Sequence, residues 1–98
     1  MEDNGLIRTA SHSNEFKKRL MNRLKRIEGQ IRGVQRMLEA DVYCDDIITQ
    51  ISATRNALAS VSKELFEAHL SSCVLKQIQS GSEGILEELK KTIDRMSK

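Results

Sequence analysis

The sequence has no proline and no tryptophan, and its only aromatic residues are Phe16, Tyr43 and Phe66. Leu, Ile, Lys, Glu and Arg are plentiful instead, which is the composition of a helical bundle, so no strands are expected. No apolar run exceeds three residues, far short of the ~20 that span a bilayer. The opening stretch MEDNGLIRTASHSN also lacks the basic-then-apolar layout of a signal peptide, and a cytoplasmic protein without membrane contact is expected. There are only two cysteines, Cys44 and Cys73. In a reducing compartment such a pair suits metal binding or redox sensing better than a structural disulfide.

A chain of 98 residues has room for one domain and buries a modest fraction of its surface alone, for which oligomerisation is a natural remedy. The net charge of +2 conceals an asymmetry. Between Glu15 and Arg36 lie eight basic residues against two acidic ones, a local +6 that leaves −4 for the rest. Segregation of this kind points to a polyanionic partner for the first helix.

Residues 1–13 are polar and aperiodic and read as a flexible arm, followed by a single helical domain over residues 14–98. Ser13 or Asn14 can cap a first helix of about 15–40, in which Phe16, Leu20, Leu24, Ile27, Ile31, Val34 and Leu38 are spaced by four or three. That pattern belongs to helices packed nearly parallel or antiparallel. Gly29 and Gly33 lie four apart on one face and would permit close approach of another helix, or are simply tolerated. Asp41 is a candidate cap for a second helix of about 42–79, since neither glycine nor proline occurs between Val34 and Ser80 and apolar residues recur at Ile47, Ile51, Leu58, Val61, Leu65 and Ala68. The short link implies an antiparallel hairpin. Ser80–Gly84 is the clearest break, and Ile85, Leu86, Leu89, Ile93 and Met96 mark a short third helix of about 85–96.

Cys44 lies near the start of the second helix and His69 and Cys73 near its end. At ~1.5 Å per residue the two cysteines would be roughly 40 Å apart, which excludes an intrachain bridge, whereas His69 and Cys73, at i and i+4, share a face. If all three form one site, Cys44 must come from a second copy of the chain. Two thiolates and an imidazole make a soft site suited to Cu(I) or Zn(II), and three protein ligands favour trigonal Cu(I). Read blandly, the cysteines are core residues and the histidine an ordinary helix residue. Catalysis by a Cys–His pair is not expected, because a mid-helix face offers neither an oxyanion hole nor a substrate cleft.

Asn22–Gly33 (NRLKRIEGQIRG), Asp41-Val42-Tyr43-Cys44, Gln50-Ile51-Ser52-Ala53 and His69-Leu70-Ser71-Ser72-Cys73 together resemble the copper-sensitive operon repressor family, relatives of the nickel/cobalt- and formaldehyde-responsive repressors. The resemblance runs from residue 14 to near the end. It implies an all-α, three-helix protomer, an antiparallel four-helix-bundle dimer and a tetramer made of two such dimers. It also implies Cu(I) held by Cys44 of one protomer and His69 and Cys73 of its partner, with Tyr43 and Glu88, or the adjacent Glu87, around the histidine ring. Nickel-type relatives add a histidine from the N-terminal arm, which maps onto His12. Sulfide- or persulfide-responsive relatives join two thiols, here Cys44 and Cys73.

Arg19, Arg23 and Arg26 fall on one stripe of the first helix with Lys18 and Lys25 nearby, and no helix-turn-helix or zinc-finger signature is visible. Alone, such a stripe reads as a solvated face. With the resemblance it becomes a candidate surface for operator double-stranded DNA through phosphate contacts, with Arg23 foremost and Arg55 of the second helix as a further candidate. The expected function is a Cu(I)-responsive repressor whose metal-free tetramer binds operator DNA and whose Cu(I)-bound form releases it. A non-regulatory copper-buffering helical protein is the rival from a different class.

Overall fold

The computed structural model describes residues 12–81 and 83–97, the Cys73 side chain excepted, so the arm expected over residues 1–13 lies outside it apart from His12 and Ser13. The described residues form helices and the turns between them, with no strand: α1 (Asn14–Glu39), α2 (Cys44–His69), α3 (Leu75–Gln79) and α4 (Ile85–Ser97). A π-helical turn over Leu70–Val74 joins α2 to α3 without a break, so the chain forms three rods, as its periodicity predicts. The molecule measures 55 × 28 × 27 Å.

Ser13 caps α1, its Oγ accepting the Phe16 backbone N–H at 3.0 Å. The other end closes differently from expectation. Asp41 does not cap α2; it adopts φ 57°, and the N–H groups of Asp41 and Val42 bond back to the carbonyls of Leu38 (3.2 Å) and Met37 (3.0 Å). This paired closure satisfies the last carbonyls of α1 and needs a left-handed residue, a conformation that aspartate tolerates better than most. The N-cap of α2 is Tyr43, without a side-chain hydrogen bond; Asp45 and Asp46 in the first turn provide negative charge at the positive end of the helix dipole instead.

α1 and α2 run antiparallel. Leu20, Ile27 and Val61 are buried together, with Phe16, Leu24 and Ala57 against them. Ile47 and Thr54 continue the buried line along α2, the Thr54 hydroxyl being satisfied by the Gln50 carbonyl at 3.0 Å. Gly29 has nothing within 4 Å of a Cβ built on it, and Gly33 only the Arg36 side chain at 3.9 Å, so within one chain no helix uses the close approach the glycines allow.

The π-helical turn was not legible in the sequence. Ser72 Oγ donates to the Ala68 carbonyl at 2.6 Å and Ser71 Oγ lies 3.3 Å from the carbonyls of Glu67 and Ala68. Hydroxyls that occupy these carbonyls compete with the main-chain ladder, and the Leu75 N–H reaches back to Leu70, five residues away.

Candidate functional site

The register of the hairpin decides which candidate residues meet. Arg23 of α1 lies opposite Ser60 and Glu64, and Ile31 and Val34 opposite Ile51 and Thr54, so the start of α1 lies beside the end of α2. Cys44 is therefore at one end of the rod, exposed and unbridged, and His69 at the other. Twenty-five residues of helix between them correspond to roughly 38 Å. Among the described residues no group of three or more His, Cys, Asp or Glu side chains is placed to hold a metal ion.

His69, half-buried at the end of α2, lines a cleft of about 510 Å³ with Ser62, Leu65, Phe66, Thr92, Met96 and His12. α4 folds back to form the far wall. His12 enters because Ser13 starts α1 beside the end of α2, and its ring packs on Phe16 with centroids 5.0 Å apart. The backbone of Cys73 lies in the π-helical turn, within one turn of His69.

Tyr43, next to Cys44, is exposed. The two α4 carboxylates differ. Glu87 is exposed and pairs with Lys90 at 3.5 Å, whereas Glu88 is half-buried.

The basic residues also separate. Lys18, Lys25 and Arg26 are exposed. Arg19 and Arg23 both form salt bridges with Glu64, one to each carboxylate oxygen, and Arg23 Nη2 also donates to Ser60 Oγ at 2.7 Å. The Arg19 guanidinium lies 5.4 Å over the Phe16 ring. Pairs this exposed are worth about 1 kcal/mol or less to folding. Arg55 is not in this cluster; it borders an apolar groove with Ile31, Val34, Ile51 and Leu58. Sequence reasoning missed Glu64, whose partners lie about forty positions away and leave no local pattern.

A strand-free hairpin with a basic first helix, and with thiol and imidazole groups at opposite ends of its second, matches a known class of helical regulator. The sequence model of the metal-sensitive transcriptional repressor family matches residues 16–95, and the chain belongs to that family. Its members are regulators rather than enzymes, and repression entails DNA binding. The chain is 48% identical over 82 residues to the copper-sensing transcriptional repressor CsoR of Bacillus subtilis, covering 83% of this chain and 81% of that one. It is 47% identical over 77 residues to the copper-sensing transcriptional repressor RicR of Mycobacterium tuberculosis, covering 78% and 80%. The crystal structure of the copper-sensing repressor CsoR with Cu(I) from Geobacillus thermodenitrificans superposes with a TM-score of 0.84 at 46% identity, covering 92% and 95% of the two chains. The nickel-responsive transcriptional regulator InrS gives 0.71 at 38% identity, covering 89% and 99%. No described helix is long and apolar enough to cross a membrane.

Proposed function

We propose that the protein is a cytoplasmic Cu(I)-responsive repressor: its metal-free tetramer binds operator DNA, and Cu(I) held between protomers releases it. The observation that carries this reading is the placement of Cys44 and His69 at opposite ends of one rod, in a chain similar to copper-sensing repressors. An antiparallel partner brings its own Cys44 to the His69 end. The donor set fits the metal, since thiolates and an imidazole are soft ligands for Cu(I).

Cys44 of one protomer, with His69 and Cys73 of the other, would hold the ion, and Glu88 or Tyr43 would accept the second ring N–H of the histidine, as metal-bound imidazoles require. A site completed only by two chains is sensitive to their relative placement, and so to the spacing of the basic stripes that contact phosphate. Reciprocity then requires DNA to weaken Cu(I) binding by the factor by which Cu(I) weakens DNA binding. The exposed apolar line Ile51, Leu58 and Leu65 on α2 supports assembly, because such surface on a small chain marks an interaction site.

Mixing two variants tests the arrangement. Cys44→Ser and His69→Ala homo-oligomers are each expected to lose Cu(I) binding. A dimer made of one chain of each keeps one intact site of two, so co-refolded mixtures regain Cu(I) binding and Cu(I)-dependent release of operator DNA selected by the metal-free protein. Mixtures that stay inactive overturn the intersubunit site, and operator affinity unchanged by Cu(I) overturns the function. His69→Ala protein that still responds fully to an inducer would point to persulfide sensing through Cys44 and Cys73.

A second reading is favoured by one placement. His12 shares the cleft with His69, and a site that adds it would suit nickel. His12→Ala leaves Cu(I) release intact if copper is the signal and abolishes the response if nickel is.

A further inference from the structure

Glu64 is the one acidic group on α2 that engages the proposed DNA-contact arginines, and it engages two of them. Its Oε1 accepts from Arg23 Nη1 and its Oε2 pairs with Arg19 Nη2. Arg23 Nη2 donates to Ser60 Oγ at 2.7 Å, so each terminal nitrogen of its fork has a partner on α2. A guanidinium meets a carboxylate and a phosphate with the same forked geometry.

Beside this cluster lies a notch of about 150 Å³ lined by Arg23, Arg26, Gln30 and Ser60 over Ile27 and Ala57. Gln30 Oε1 is buried with no hydrogen-bond partner among the described residues. The notch gathers two guanidinium groups and a hydroxyl at the junction of α1 and α2.

We propose that Glu64 is an internal competitor for DNA phosphate, occupying Arg19 and Arg23 in the free protein and giving them up when the nucleic-acid backbone docks at this notch. The inference rests on the reading of Arg19 and Arg23 as phosphate contacts. It makes Glu64 a built-in brake on operator affinity, because each docking event must first break the carboxylate pairs. It also explains why the foremost DNA candidate, Arg23, is half-buried: its side chain is parked.

The test measures binding of the full-length metal-free protein to a fluorescent mixed-sequence duplex of about 30 base pairs over a series of salt concentrations, where phosphate contacts dominate. Glu64→Gln is expected to bind several-fold more tightly, and the slope of log K against log salt to steepen by about 0.9 for each phosphate newly engaged. The gain should shrink when Arg23→Ala is added and vanish when Arg19→Ala is added as well, since Glu64 holds both arginines. Glu64→Gln protein that is folded by circular dichroism and binds no better than the parent overturns the proposal. Should that variant fail to fold, Glu64→Asp draws the carboxylate back from both arginines without changing charge; tighter binding supports the brake and unchanged binding overturns it. Arg23→Ala alone separates the two layers. Parent-like affinity would remove the DNA reading itself, whereas weakened affinity alongside an unaltered Glu64→Gln overturns only the brake.

Discussion

Two faces of α2 carry the same seven-residue period and have opposite fates. Ile47, Thr54 and Val61 are buried against α1, at 9% exposure or less, while Ile51, Leu58 and Leu65 are 47, 48 and 44% exposed. Both lines are apolar enough to form a core, yet one protomer has a partner helix for only one. Ile31 of α1 is 48% exposed on the same side, and the groove of about 300 Å³ between these residues is lined by apolar side chains, Thr54 and Arg55. The first face closes the hairpin. The second suits the four-helix dimer that we propose, because apolar surface of this extent on a small chain marks an interaction site.

The largest effect is expected on the bare face. Leu58→Asp places a charge where a partner would bury it, and the desolvation cost of an unpaired interfacial charge is several kcal/mol. Sedimentation should then show a helical monomer at concentrations where the parent is assembled, and Cu(I) binding should disappear with the intersubunit site. A Leu58→Asp protein that remains fully assembled would remove this face from the interface.

On the core face the expected loss is of stability rather than of assembly. Ile27→Ala empties a site that is 5% exposed and should cost about 2–5 kcal/mol, read as a lower urea midpoint. The two faces are separated by concentration. Assembly makes stability rise with protein concentration, so Ile27→Ala should keep that dependence, whereas Leu58→Asp should abolish it. If both variants behave alike, the distinction between hairpin core and partner face fails.

The same contrast shows what a sequence of this kind discloses. Helix-forming composition, the apolar period and the glycine pair at Gly81 and Gly84 located every rod to within two residues or so, because those signals are local. Periodicity could not say which of two equivalent apolar lines would be covered, since that depends on how many helices one chain supplies. The meeting of Arg19, Arg23 and Glu64 was hidden for a similar reason: it requires the hairpin register, which no single helix encodes. The separation of Cys44 from His69 was legible, because helix rise alone fixes it. The π-helical turn that holds Cys73 was not legible, because hydroxyl-to-carbonyl bonds like those of Ser71 and Ser72 also occur at Thr49, Thr54 and Thr92 in regular helix.

Asp41 gives the smallest effect and the sharpest sign, and it acts on the turn that sets the register of both faces. The sequence suggests a cap for α2, whereas the structure places Asp41 at φ 57° as the residue that closes α1. These roles respond differently to glycine. Replacing an N-cap aspartate by glycine costs a few tenths of a kcal/mol. At a left-handed position glycine removes the Cβ that makes such backbone unfavourable for L-residues, at a cost in unfolded-state entropy of only about 0.5–1 kcal/mol. Asp41→Gly is therefore expected to raise stability by roughly 0.5 kcal/mol, and Asp41→Val to lower it, because a β-branched side chain is poorly accommodated at positive φ. Urea midpoints measured at matched concentration, with unchanged denaturant slopes, check both, and a loss on Asp41→Gly would return the residue to the start of α2.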